Sequence, residues 1–342
     1  MDPTYEHECN ISEAAGKPFP VDDLIQVYTS KIVSYIEEHR LNKDSNTVDK
    51  PPFLLIYTPD NTHLPVYASS KFRGTSRRGL YGDAVQELDW SVGQILQTIR
   101  NGHNENERDT IVFFTSDNGA QGGHGNLGSM GPFKCMKGTT WEGGVREPAL
   151  IWGFPYGSVL PTNEVRMQLS TTMDIFPTIL ELLSTEYEES SSLQIDTINK
   201  MDGKSLLNIL RDNDKPSPHE SFIYWRGDVI YAIRVNAYKI HFYTEGCTSY
   251  WVPGRTNVTS KPIVYNIEED IEEKYPINAT LIAELYKQIV NKAMMIRDNM
   301  YEDLKHDKSK NPPQLNYCDP AAALYYPDYP VPPSNISECV YS

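Results

Sequence analysis

Asp117 and Asn118 close an apolar run, Ile111-Val112-Phe113-Phe114, and a glycine-rich stretch then leads to Lys137 and the turn Trp141-Glu142-Gly143-Gly144. A carboxylate and an amide are hard oxygen donors of the kind that hold a metal ion. At the carboxyl end of a strand in an open α/β sheet they stand where ligands collect. Lys137 offers a cation for an anionic ester. His63 follows a second apolar run, Phe53 to Tyr57, and loops beyond strands are where catalytic groups concentrate. Each residue has an ordinary reading on its own: Asp-Asn-Gly as a turn, Lys137 as a solvated lysine, His63 as a loop histidine. A hairpin, however, needs a second strand at once, and a non-alternating glycine-rich loop follows Gly119 instead. The four residues are therefore read together, while His124 in the loop is taken as solvated and Asp22-Asp23 as a helix-capping pair.

These side chains need a frame. Leu24, Ile25, Tyr28, Ile32, Tyr35 and Ile36 recur at helical spacing behind Asp22 as N-cap. Phe53 to Tyr57 predicts a strand buried on both faces. Tyr81 to Ile99 predicts an amphipathic helix with Val85, Leu88, Val92, Ile95, Leu96 and Ile99 inward, and with Asp83, Glu87 and Asp89 on the solvated side or in the first turn. With the strand before Asp117 this makes a βαβ unit of a parallel sheet. Ala149 to Trp152 reads as another short buried strand, Met173 to Leu183 as a helix with Pro177 near its start, and Asp202-Gly203 as a turn. Past residue 210 short aromatic and β-branched segments (Phe222 to Trp225, Val229 to Val235, Tyr238 to Tyr243) predict an antiparallel sheet. A last helix is expected from Ala279 to Tyr301, burying Leu281, Ile282, Leu285, Ile289, Ala293 and Ile296, before a Pro- and Tyr-rich tail from Asn311. The expected division is 1–208, 209–310 and 311–342.

A formal charge of −15 over 342 residues argues against a nucleic-acid or anionic-membrane partner, which would need clustered Lys and Arg. No apolar run approaches the ~20 residues of a membrane span. The first residues lack the basic start and apolar core of a signal peptide. Four Asn-x-Ser/Thr sequons, at Asn10, Asn257, Asn278 and Asn335, and five cysteines nevertheless fit the secretory route and an oxidising compartment. A segment preceding Met1 is therefore expected.

The stretches TPDNTHLPVYAS, RGLYGDAVQELDWSVGQIL, FFTSDNGAQGG, GPFKCMKGTTWEGGVREPALIW, MDIFPTILELL and FIYWRGDVIYAIRVNAYKIHFYTEG resemble the type I sulfatase family. The resemblance implies an alkaline-phosphatase-like α/β sandwich, N-terminally incomplete here, with residues 1–208 as the C-terminal part of the catalytic domain. Residues 209–310 would be the smaller antiparallel sheet with its helix, and 311–342 a tail. It implies calcium held by Asp117 and Asn118, with Lys137 on the sulfate and the bridging oxygen and His63 assisting protonation of the leaving group. It also implies disulfides Cys135–Cys247 and Cys318–Cys339, leaving Cys9 for a partner upstream. The substrate class implied is a sulfated carbohydrate, galactose 6-sulfate or N-acetylgalactosamine 6-sulfate of glycosaminoglycans, hydrolysed in a lysosomal or secreted setting. A homodimer is the family's common state.

The nucleophile in such enzymes is a formylglycine made from cysteine in Cys-x-Pro/Ala-Ser/x-Arg, and none of Cys9, Cys135, Cys247, Cys318 and Cys339 stands in that motif. The family's paired aspartates that complete the calcium site are likewise missing. A fragment or truncated gene model of an active parent, with formylglycine upstream, is expected. The alternative is a non-catalytic sulfatase-like protein that binds sulfated glycans or partners. A two-metal phosphodiesterase on a related fold is disfavoured, because it would need more His and Asp ligands than this segment supplies.

Overall fold

A 3-10 turn at Val21–Asp23 leads into helix α1 (Leu24–Leu41), which buries Ile25, Thr29 and Ile36 along one face. The structure is a computed structural model and describes residues 21–41, 52–102, 109–122, 128–155, 157, 160–186, 201–247 and 255–306. The chain forms two units, Met1–Ala293 and Met294–Ser342. In the first, α1 packs against α2 (Gly79–Gly102), and Thr29 Oγ1 and Ser91 Oγ share a buried hydrogen bond of 2.6 Å. Asp22, expected as a cap, turns its carboxylate to Arg73 Nη2 at 2.8 Å.

Asp83 and Glu87 correct the expectation of a solvated side on α2: both are buried. Asp83 accepts from the amides of Gly74 (2.8 Å) and Ser76 (2.7 Å), and Glu87 accepts from the amide of Ser69 (2.9 Å). Backbone donors in a buried loop need acceptors, and these carboxylates supply them. The bonds from Gly74 and Ser76 hold the Asp83 carboxyl below its usual range. Val85, expected inward, is exposed.

The segment expected as a strand buried on both faces, Phe53 to Tyr57, is extended but has no ladder partner among the described residues. Its odd positions turn toward the helices: Phe53 lies edge-on to Tyr35 at 5.8 Å, and Tyr57 edge-on to Tyr28 at 6.4 Å. Leu54 and Ile56 face outward, 59% and 78% exposed. An unpaired strand has cover on one side of its pleat only. The parallel βαβ unit is therefore not formed among the described residues. Strand β1 (Thr110–Thr115) instead pairs antiparallel with β2 (Ala149–Phe154) across the short helix α3 (Glu142–Val145). Leu150, opposite Phe114 in that register, is 67% exposed, so β2 is not the buried strand expected.

Helix α4 (Ile175–Glu186) follows a 3-10 turn closed by a capping box between Thr171 and Asp174. The buried Asp174 also accepts from Lys204 N (2.8 Å) and meets His219 Nε2 at 2.7 Å, which ties the helix start to the loops on either side of α5 (Leu207–Arg211). Strands β3 (Ser221–Arg226), β4 (Val229–Val235) and β5 (Tyr238–His241) continue into the short pair β6 (Tyr243–Thr244) and β7 (Thr256–Asn257), and then into β8 (Ile263–Asn266). The order β3-β4-β5-β8 is antiparallel throughout, as the short aromatic and β-branched segments predict. Ile230, Ile233, Ile240, Phe242, Val264 and Ile267 are all buried in and beside this sheet, each side chain contributing about 1.5–3 kcal/mol.

Helix α6 (Ala283–His306) begins later than expected, because Asn278 Oδ1 accepts from Thr280 N at 2.9 Å and holds a turn there. Leu281, Ile282 and Leu285 are accordingly exposed, and the buried positions are Ile289, Val290 and Ala293. The second unit is described only over the last turns of α6, where Lys305 Nζ meets Glu302 Oε1 at 2.6 Å. The tail, with Cys318 and Cys339, lies outside the described residues.

Candidate active site

Strand β1 delivers Ser116, Asp117, Asn118 and Gly119, and Ser116 Oγ donates to the Asn118 carbonyl at 3.1 Å to tighten the turn. Two backbone bonds then pin this turn to the segment carrying Lys137: Gly119 N donates to Gly144 O at 3.1 Å, and Lys137 N to Ala120 O at 3.0 Å. A Cβ on Gly119 would sit 2.0 Å from the Gly143 carbonyl, so only glycine allows this approach. The structure thus brings Asp117, Asn118 and Lys137 onto adjoining turns. Asp117 is exposed and Asn118 and Lys137 are half-buried. The Lys137 ammonium has no hydrogen-bond or ion-pair partner among the described residues.

His63 arrives from the opposite side of the sequence and is not joined by any bond to the other three. Its loop is fixed by Tyr67 Oη donating to Asp60 Oδ1 (2.8 Å) and by Asn61 Nδ2 donating to Ala84 O (3.4 Å). The exposed imidazole donates from Nδ1 to the Leu64 carbonyl at 2.7 Å. That bond fixes the tautomer and leaves Nε2 free to carry or accept a proton.

Glu147 is pushed up to about 7, first by burial and then by the charges of Asp117 and Glu142. Among the described residues no group of three or more His, Cys, Asp or Glu is placed to hold a metal ion. Asp117 and Asn118 fit calcium by donor type and would supply part of the 6–8 oxygens it takes.

A buried network went unpredicted. Glu142 Oε1 accepts from Lys239 Nζ at 2.9 Å, and the Glu142 amide donates to Glu273 Oε2 at 2.7 Å. Lys239 also faces Glu273 Oε1 at 3.4 Å, and His241 Nε2 donates to the same oxygen at 2.8 Å. Burial pulls the Lys239 ammonium down, but Glu142, Tyr224 and Glu273 outweigh it and its pKa lies above the ordinary value. Burial pushes His241 below its ordinary value, with Glu273 only partly opposing. Next to this, Thr140 N and Trp141 Nε1 donate to the carboxylate (2.6 Å) and carbonyl (3.0 Å) of Glu245. A disulfide joins Cys135 to Cys247. The one clue in the sequence is Tyr238-Lys239-Ile240-His241-Phe242, a strand in which polar groups occupy every second position between apolar ones.

The sulfatase family profile matches residues 9–185, and the profile for the C-terminal region of aryl-sulfatase matches residues 217–325. The chain belongs to the sulfatase family. It is 34% identical over 328 residues to N-acetylgalactosamine-6-sulfatase of Canis lupus familiaris, covering 89% of this chain and 57% of that protein. To arylsulfatase A of Bos taurus it is 33% identical over 239 residues, covering 66% of this chain and 44% of that one. Among solved structures, the PsFucS1 sulfatase from Pseudoalteromonas sp. superposes with a TM-score of 0.67 at 23% identity, over 83% of this chain and 54% of that chain. The fold is the alkaline-phosphatase-like α/β sulfatase fold with a C-terminal antiparallel sheet and helix. The chain spans about half the length of the curated relatives it matches, 57% of the first and 44% of the second.

Proposed function

We propose that this chain carries the sulfate-recognition and leaving-group side of a sulfuric ester hydrolase acting on sulfated sugars, with galactose 6-sulfate or N-acetylgalactosamine 6-sulfate as the substrate class. What supports it most is the bonding of the Lys137 segment to the Asp117-Asn118-Gly119 turn, in a chain 34% identical to an N-acetylgalactosamine-6-sulfatase. Hydrolysis breaks the bond between sulfur and the sugar oxygen. Negative charge grows on that oxygen and persists on the sulfate. The Lys137 ammonium, without a partner among the described residues, would meet this charge. His63, with Nδ1–H held by Leu64, would when protonated on both nitrogens pass the Nε2 proton to the departing sugar oxygen. Asp117 and Asn118 would hold calcium, whose charge helps offset that of the sulfate when bound. No cysteine of this chain stands in the family's nucleophile motif, so the attacking group is not assigned to any of its residues.

The setting fits a lysosomal or secreted protein. Asn257 and Asn278, both sequon asparagines, are exposed, and the Cys135–Cys247 bond needs an oxidising compartment. Asn10 and Asn335 lie outside the described residues, as does His124. No described helix is long and apolar enough to cross a membrane. The division at 208/209 falls between the two family matches.

Titration calorimetry with galactose 6-sulfate and with galactose tests the reading. Binding of the sulfated sugar alone, weakened at least about tenfold by Lys137→Ala, is expected, a loss of one charge-assisted contact. Equal affinity for the two sugars would contradict it. Sulfate-dependent binding without sulfate release is what the alternative, a non-catalytic sulfatase-like protein that binds sulfated glycans, predicts.

A further inference from the structure

The buried charges that join the C-terminal sheet to Glu142 lie in the same structural unit as Lys137, and a short path of bonds connects them. Lys239 and Glu273 hold Glu142 through its carboxylate and its amide, at 2.9 and 2.7 Å. Glu142 opens α3, and two residues on, Gly144 O accepts the Gly119 amide at 3.1 Å. Gly143 N donates back to Lys134 O at 2.7 Å, and Ala120 O accepts from Lys137 N at 3.0 Å. From Lys239 to the turn bearing Asp117 and Asn118, each link is a hydrogen bond or one or two peptide units.

Glu273 shows that this arrangement is imposed. It adopts φ +50°, the left-handed region that a non-glycine residue occupies only when its surroundings over-determine it. The turn holding it there is closed by Glu273 N donating to Asp270 O at 3.0 Å and by Tyr275 N donating to Asp270 Oδ2 at 2.7 Å. Its carboxylate is fully buried and points at Glu142, Lys239 and His241. Lys134 closes the group from the other side, with Nζ 3.6 Å from the Trp141 ring centroid and 3.2 Å from the Glu273 carbonyl. A buried ion cluster is weak evidence for stability, because well-packed apolar residues often do as well, and its better attested use is to fix one arrangement among several.

We infer that Lys239 and Glu273, oriented by His241, are positioning residues for the sulfate site. They fix the Glu142–Gly144 turn so that Lys137 and the Asp117-Asn118 turn are held in one geometry before substrate arrives. This rests on the function proposed above. It assigns to the C-terminal sheet a part in recognition of the sulfate ester, though no residue of that sheet need touch it.

Amide hydrogen exchange on the 342-residue chain, followed by NMR, tests the inference without any activity. In Lys239→Met the amides of Glu142, Gly119 and Lys137 are expected to exchange at least about tenfold faster, while amides inside α2 keep their rates. Lys239→Arg, which keeps the charge, is expected to restore protection. Glu273→Gln, close in shape and uncharged, gives a second route should Lys239→Met not fold. Unchanged exchange at Gly119 and Lys137 in both Lys239→Met and Glu273→Gln would overturn the inference and leave the cluster a packing feature. A second readout is the affinity for galactose 6-sulfate, expected to fall about tenfold in Lys239→Met and to recover in Lys239→Arg. Should the wild-type chain bind no sulfated sugar, the functional reading fails, and the exchange rates still decide whether the cluster positions the turn.

Discussion

Residues 134–145, which carry Lys137, and residues 52–63, which carry His63, supply the two ends of the proposed site and are held by different means. The first segment is tied by a disulfide to Cys247, by hydrogen bonds to Glu245 and Glu273, and by an ion pair to Lys239. The second has one side against α1 and α2 and the other, with Leu54 and Ile56, open. Lys137, the residue proposed to recognise the sulfate charge, therefore stands on a segment cross-linked at several points. His63, the proposed proton donor, stands on a loop held by the Tyr67–Asp60 and Asn61–Ala84 hydrogen bonds, next to a segment with one open side. Preorganisation matters most where developing charge must be met without reorganisation.

The contrast can be broken most severely at the disulfide. Cys135 and Cys247 are 112 residues apart, and replacing both with serine is expected to cost up to about 4–5 kcal/mol in the chain-entropy account. Denaturant unfolding reads this, and a cost under about 1 kcal/mol would show that the other bonds suffice. Glu273→Ala comes next. It leaves His241 Nε2 and the Glu142 amide without their acceptor and Lys239 with Glu142 alone, and should destabilise by about 3–5 kcal/mol, whereas an exposed pair such as Arg73–Asp22 should be worth about 0–1 kcal/mol. Comparable losses for the two pairs would remove the distinction between the regions.

A smaller effect follows from pH. His241 is held below its ordinary value by burial, so above about pH 6.5 it is neutral in both folded and unfolded chains and its contribution is complete. As pH falls through that value, the unfolded chain takes up a proton that the folded chain refuses, and stability declines. For Glu273, burial raises the pKa, but the bond from His241 and the charge of Lys239 outweigh it. Its contribution is therefore present above the ordinary carboxyl value of about 4.5 and lost as pH falls through the depressed value. Melting curves of His241→Gln between pH 7 and 5 should show a shallower decline than wild type, by about 1 kcal/mol at most. Parallel curves would mean that His241 does not titrate differently on folding. The smallest effect belongs to the open segment. Ile56→Lys should change stability by no more than about 0.5 kcal/mol, while scattering should show less self-association, since an exposed apolar edge favours it.

The sequence was legible where local pattern decides structure. The aromatic and β-branched composition of Val229 to Val235 and Tyr238 to Tyr243, with turn residues between them, gives the antiparallel sheet, and the 3.6-residue spacing gives α1 and α2. It was misleading where long-range pairing decides. Phe53 to Tyr57 has the composition of a doubly buried strand, yet whether it gains a ladder depends on a neighbour that its own residues do not specify. Asp83 and Glu87 looked solvated because helical spacing does not reveal a loop whose amides need acceptors. The adjacency of Lys137 to Asp117 was expected from resemblance, whereas the cluster behind it joins Glu142 to residues 97 and 131 positions away, a distance no local motif spans.

The most direct test of the account is a crystal structure of the chain soaked with galactose 6-sulfate and calcium. The account predicts the sulfate against Lys137 Nζ, calcium on Asp117 and Asn118, and His63 Nε2 within about 2.6–3.2 Å of the sugar's bridging oxygen. A sulfate bound elsewhere, with Lys137 still unpaired, would contradict it.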